Sequence, residues 1–104
     1  MLTQAINTIH IRSLPEKSDE LGRALVIAGE KVKRLPGCML HHVVRSHFNP
    51  HLWIITGHWK TVVEMRASFH DPAGEYFLEL IKLESVFSIE FNSYIVESFG
   101  RAVR

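Results

Sequence analysis

The side chains best able to do chemistry in this sequence are its histidines, one asparagine and one tryptophan. There are seven histidines, and His41, His42, His47, His51 and His58 crowd into one stretch. Imidazole titrates near neutrality, so whichever of His41, His42 and His58 faces a cavity is a candidate general base. A metal centre needs three or four imidazoles or carboxylates converging on one point. Strand alternation sends His41 and His42 to opposite faces, no His-x-His or Glu-x-x-His pattern supports them, and His47 and His51 read as loop residues. No metal is expected. Asn7 sits mid-strand, where asparagine is depleted and a buried amide must be hydrogen-bonded; it reads as a polar anchor for a ligand oxygen, or as an amide that lies on an exposed face or bonds to a neighbouring strand. Trp59 reads as the wall of an aromatic pocket offering its indole N–H to a substrate, or as plain core. His70 and Phe77 complete the candidate substrate-binding set. Phe77 belongs to a group of aromatics, with Tyr76, Phe87, Phe91 and Tyr94, that line a cavity or fill a core. Cys38 lacks a Cys-x-x-Cys partner or a catalytic histidine context and reads as a small buried residue.

The elements that must position these residues follow from periodicity. Residues 4–12 alternate as a strand, with Ala5, Asn7, Ile9 and Ile11 on one face. Ser18 offers a helix N-cap, with Asp19 and Glu20 in the first turn, and Leu21, Leu25, Ala28, Val32 and Leu35 form one helical stripe. Pro36-Gly37 stops that helix. Residues 39–46 and 52–59 read as strands two and three, joined across Phe48-Asn49-Pro50 as an antiparallel hairpin. Thr61 and Glu64 form a capping box, in which the carboxylate is expected to take a second backbone amide. Asp71-Pro72 restarts the helix, with Tyr76, Leu80 and Leu83 along one face. Residues 86–96 read as a long fourth strand. The order strand, helix, strand, strand, helix, strand predicts an α+β, ferredoxin-like split βαβ fold with a four-stranded antiparallel sheet.

With 104 residues the chain suits one domain, residues 1–104 with a core over about 4–96. Twelve basic and eleven acidic side chains nearly cancel, leaving no clustered positive face for nucleic acid. The N-terminal stretch lacks a secretory pattern, and no apolar run approaches the roughly 20 residues that span a bilayer. A single cysteine fits a reducing cytoplasm. The expectation is a cytoplasmic protein that binds neither nucleic acid nor membrane. Strands apolar on both sides (Trp53 and Ile55 against Leu52 and Ile54) imply that a second copy covers the open face of the sheet, making a homodimer around small-molecule sites.

Pro36-Gly37-Cys38, Arg45-Ser46, Asn49-Pro50, Trp59 and Asp71-Pro72, in this order and spacing, resemble the antibiotic biosynthesis monooxygenase domain family. The resemblance implies a dimeric α+β barrel and a cofactor-independent oxygenase acting on a small aromatic or quinone-like substrate. A non-catalytic binding dimer of the same fold is the alternative it leaves open. The family also has a haem-degrading branch, which would combine Asn7 and Trp59 with a histidine on the following helix. Many members carry a histidine nine residues after this tryptophan, where this chain has Ser68. His70 lies two residues further on, about 200° around a helix, and so does not simply replace it.

Overall fold

The computed structural model describes residues 2–81 and 86–97, apart from the side chains of residues 76–78, 80 and 81. Within it run strands β1 (Ala5–Ser13), β2 (Cys38–Arg45), β3 (Leu52–Trp59) and β4 (Val86–Ile95), and helices α1 (Ser18–Val32), α2 (Val62–Ser68) and α3 (Pro72–Ile81). The chain order is β1-α1-β2-β3-α2-α3-β4. The strands pair antiparallel in the order β2-β3-β1-β4. This is the ferredoxin-like arrangement expected from the periodicity. Of the expected helical face Tyr76, Leu80 and Leu83, all three side chains lie outside the described residues.

Alternation divides the sheet into two unlike faces. Ala5, Asn7, Ile9, Ile11 and Ser13 of β1 and Trp53, Ile55, Gly57 and Trp59 of β3 are buried on the helix side. There Leu21, Leu25, Ala28 and Val32 of α1 join Ile9, Ile11, Trp53 and Ile55 in one core cluster. Each fully buried Leu or Ile contributes about 1.5–3 kcal/mol by leaving water. The opposite face carries Ile6, Leu40, Val44 and Ile54, but also His10, His42, His58 and Thr56. It is therefore less uniformly apolar than the strand sequences suggest, because the even positions of β1 and the edge strand β2 mix polar and apolar side chains.

Two local expectations are corrected. Ser18 opens α1 but does not cap it: a 3-10 turn, Pro15–Lys17, leads into the helix, and no side chain caps the first turn. The Ser18 hydroxyl instead points into the packing, donating to the Pro50 carbonyl (2.7 Å) and accepting from Trp53 Nε1 and Arg45 Nη2 (both 3.0 Å). Arg45 also donates from Nε to the Pro50 carbonyl (2.8 Å), pairs with Asp19 (2.8 Å) and lies over the Trp53 ring. The Asn49 side chain accepts from the His51 amide, while Ser46 accepts from the Asn49 amide. The Arg45-Ser46 and Asn49-Pro50 motif thus ties the β2–β3 turn to the start of α1. A Ser18→Ala substitution strips the indole N–H and one guanidinium N–H of their acceptor. It is expected to cost about 2 kcal/mol, or roughly 10 °C in melting temperature by thermal unfolding.

The capping box also differs in detail. Thr61 Oγ1 accepts from the Glu64 amide (3.0 Å), and its hydroxyl donates to the Glu64 carboxylate (3.1 Å). The carboxylate therefore engages the threonine rather than a second backbone amide. It also stands where a side chain at Gly37 would be, and Gly37 adopts φ 79°. Both facts require glycine there. At the restart, Asp71 Oδ1 accepts from the Ala73 amide (2.9 Å) and Pro72 takes the first helical position. α3 then packs against α1. On β4 the helix-side residues Ile89, Phe91 and Ile95 remain exposed.

Candidate functional site

Sheet register brings one polar row onto the helix side. His41 of β2 pairs with Gly57 of β3, Gly57 pairs with Asn7 of β1, and Asn7 pairs with Ser93 of β4. The next row, Val43, Ile55, Ile9 and Phe91, is apolar. Above these rows lies a cavity of about 390 Å³, lined by Asn7, Ile9, Val32, His41, Trp59 and Phe91, with Ser68, Phe69 and Gly74 contributing from the α2–α3 region. Its size falls in the range of small-molecule sites, and its lining is mostly apolar with a few polar groups.

Asn7 and Trp59 meet directly. Trp59 Nε1 donates to Asn7 Oδ1 at 2.7 Å, with Trp59 1% and Asn7 8% exposed. The space between them exists because residue 57 is glycine: a Cβ there would lie 2.8 Å from Trp59 Nε1 and closer still to Asn7 Oδ1. The indole N–H is thus engaged within the protein, leaving the tryptophan as an aromatic wall. The Asn7 amide nitrogen has no hydrogen-bond partner among the described residues.

The three candidate bases separate. His41 is buried, lines the cavity, and packs beside Gly29 of α1. Burial, followed by the charge of Lys33 and by His42, pushes its pKa down from 6.5 to about 4. His42 and His58 lie on the opposite sheet face, their rings 6.3 Å apart. Burial and His42 lower the pKa of His58. His70 is exposed in the turn after α2 and is not among the cavity-lining residues. The Phe77 side chain lies outside the described residues. Burial raises the Cys38 thiol pKa, which keeps it protonated and unreactive.

The His41 shift makes stability depend on pH. Below pH 6.5 the unfolded chain takes up a proton that the folded chain refuses until about pH 4. The contribution is intact above 6.5 and is lost as pH falls through that window, up to about 3 kcal/mol. Chemical denaturation at pH 7.5 and 4.5 is expected to show this loss, and a His41→Gln variant to show a correspondingly flatter profile.

Residues 5–79 match the antibiotic biosynthesis monooxygenase family. The chain belongs to that family. Among solved structures, a Deinococcus radiodurans protein bearing the family's name superposes with a TM-score of 0.81 at 21% identity, covering 96% of both chains. PA3566 from Pseudomonas aeruginosa gives 0.79 at 13% identity, covering 94% of this chain and 98% of its own. A conserved protein from Methanosarcina mazei Go1 gives 0.78 at 20% identity, covering 89% and 93%. At these identities the likeness shows the fold alone. No curated protein matches the chain. No helix among the described residues is long and apolar enough to cross a membrane.

Family membership gives Ser68 its meaning. The position where many family members place histidine does line the cavity, but here its hydroxyl donates to the Met65 carbonyl (2.6 Å). Three further features of the site were not drawn from the sequence: the gap at Gly57, the Phe69 wall and the close approach at Gly74, where a Cβ would strike the Ser68 carbonyl. Gly57 was the one with a readable signal, since a glycine inside a strand marks close approach of another group.

Proposed function

We propose that this chain is a cofactor-independent monooxygenase of a small aromatic or quinone-like substrate, acting as a homodimer. The observation that carries the reading is the Asn7–Trp59 pair on the wall of a largely apolar cavity. A flat aromatic lies against the indole, and an oxygen of its anionic form meets the Asn7 amide. Such a fixed donor in a water-poor site stabilises charge more effectively than water does. The electron-rich anion then reduces dioxygen directly. For a substrate methylene flanked by aromatic rings, one oxygen atom becomes the new ketone and the other leaves as water. All four electrons come from the carbon, so no external reductant is required. His41, held neutral, is a hydrogen-bonding neighbour of this chemistry rather than a strong base.

The dimer rests on the sheet face opposite the helices, where Ile6, Leu40, Val44 and Ile54 have no covering layer among the described residues. Two such sheets packed face to face bury these side chains. Oxygen-electrode measurements with anthrone test the activity. We expect one dioxygen consumed per anthrone, anthraquinone as product, and loss of most of the rate in Asn7→Ala. Uptake no faster than uncatalysed autoxidation, across anthrone and reduced naphthoquinones, would overturn it.

One observation favours a second reading, a non-catalytic ligand-binding dimer: Ser68 stands in for the histidine and its hydroxyl is committed to the backbone. Saturable ligand binding without oxygen uptake is its signature. Haem degradation is not adopted, because His70 lies exposed outside the lining, about one helical position (roughly 100°) from where that branch expects its imidazole.

A further inference from the structure

We propose that Gly57 is a specificity-determining position: its missing side chain lets Trp59 lock the Asn7 amide with its nitrogen toward the cavity, so that the site selects ligands presenting a hydrogen-bond-acceptor oxygen. This rests on the reading of the cavity as the substrate site and goes beyond it by assigning to Gly57 the control of which way the Asn7 amide points.

An indole nitrogen donates and never accepts. The amide atom 2.7 Å from Trp59 Nε1 must therefore be the carbonyl oxygen. An asparagine elsewhere turns its amide over to suit either kind of partner; here a flip would set two donors against each other in a buried place. The amide nitrogen is consequently the group left for a ligand. Asn7 is itself nine-tenths buried and lines the cavity, and that nitrogen has no partner among the described residues. A ketone, quinone or phenolate oxygen satisfies it. A hydrocarbon of the same shape leaves it bare, and sites built to hydrogen-bond a ligand discriminate strongly against analogues that lack the group.

Gly57 acts through geometry and touches no reacting atom. It lies between Asn7 and His41 in the sheet, and any side chain there overlaps Asn7 Oδ1 and crowds Trp59 Nε1. Glycine is the residue that allows the indole to lie across β3 and reach the amide.

The test compares 1-tetralone with tetralin, nearly isosteric and differing in the ketone oxygen, by calorimetric titration of the full chain. The readout is the ratio of the two affinities, because general damage to the cavity lowers both and leaves the ratio in place. In Gly57→Ala and Asn7→Asp the tetralone-to-tetralin ratio is expected to fall at least about tenfold below wild type, the loss of one hydrogen bond worth about 1.4 kcal/mol. An unchanged ratio in either variant overturns the proposal while leaving the oxygenase reading to its own oxygen-uptake test. Failure of wild type to prefer 1-tetralone over tetralin also overturns the proposal and again leaves the oxygenase reading to its oxygen-uptake test.

Discussion

A Gly22→Val chain is expected to be mostly unfolded at 37 °C. Gly22 lies on the buried side of α1, directly over the Trp53 indole, and a Cβ placed on it overlaps two atoms of that ring. The indole has little freedom to retreat. Its N–H is held by Ser18, and the Arg45 guanidinium covers its face 4.8 Å from the ring centre. The added side chain must lift α1 from the sheet or expel the ring, and either movement disturbs the Ser18, Arg45 and Pro50 contacts at the same time. Overpacking of a tight core costs about 1–3 kcal/mol, and broken buried hydrogen bonds add about 1–3 kcal/mol each. The sum approaches the whole stability of a small domain, about 5–15 kcal/mol. Circular dichroism of the purified variant should show lost helix signal at 37 °C; a native spectrum with a melting point within about 5 °C of wild type would contradict the packing described.

The second large effect concerns Trp59 and Asn7 together. Trp59→Phe keeps an aromatic wall but deprives Asn7 Oδ1 of its buried donor, and is expected to cost about 2 kcal/mol, roughly 10 °C. Adding Asn7→Leu removes the stranded carbonyl. Replacing both partners of a buried hydrogen bond with apolar groups is often nearly neutral. The double variant is therefore expected to be more stable than Trp59→Phe alone, by about 1 kcal/mol in a denaturation cycle. Its oxygen uptake is nonetheless expected to be the lowest of the set, because it has lost the donor to the substrate. Recovered stability with lost activity separates a pair kept for chemistry from a pair kept for packing. A double variant less stable than either single one would place the pair among the structural contacts.

The sheet, the helices and their order were legible because alternation and the helical stripe report burial directly. Leu21, Leu25, Ala28 and Val32 recur at helical spacing and are buried together. The expected strand ends differ from those observed by at most one residue. Asn7 and Trp59 were legible as candidates for either a pocket or the core, but not as partners. Their contact spans 52 positions and depends on the β1–β3 register and on the gap at Gly57. Among the histidines, alternation separated His41 from His42, yet composition alone could not say which strand face met the helices. His70 is an imidazole near the family's histidine position. The α2–α3 turn leaves it exposed, while Ser68 faces the cavity. Ser18 has the residue type of a cap, but the direction of its hydroxyl, into the packing, is not written in the sequence. Long-range polar contacts are what local periodicity leaves out, and in this chain they build both the α1 anchor and the cavity wall.

The most direct measurement follows Trp59 itself. In a Trp53→Phe background it is the sole indole of the chain, which has two tryptophans. Anthrone titrated without oxygen should quench its emission saturably at one ligand per chain, and admitting oxygen should yield anthraquinone. Turnover of anthrone with Trp59 emission unchanged would place the chemistry elsewhere and contradict the account.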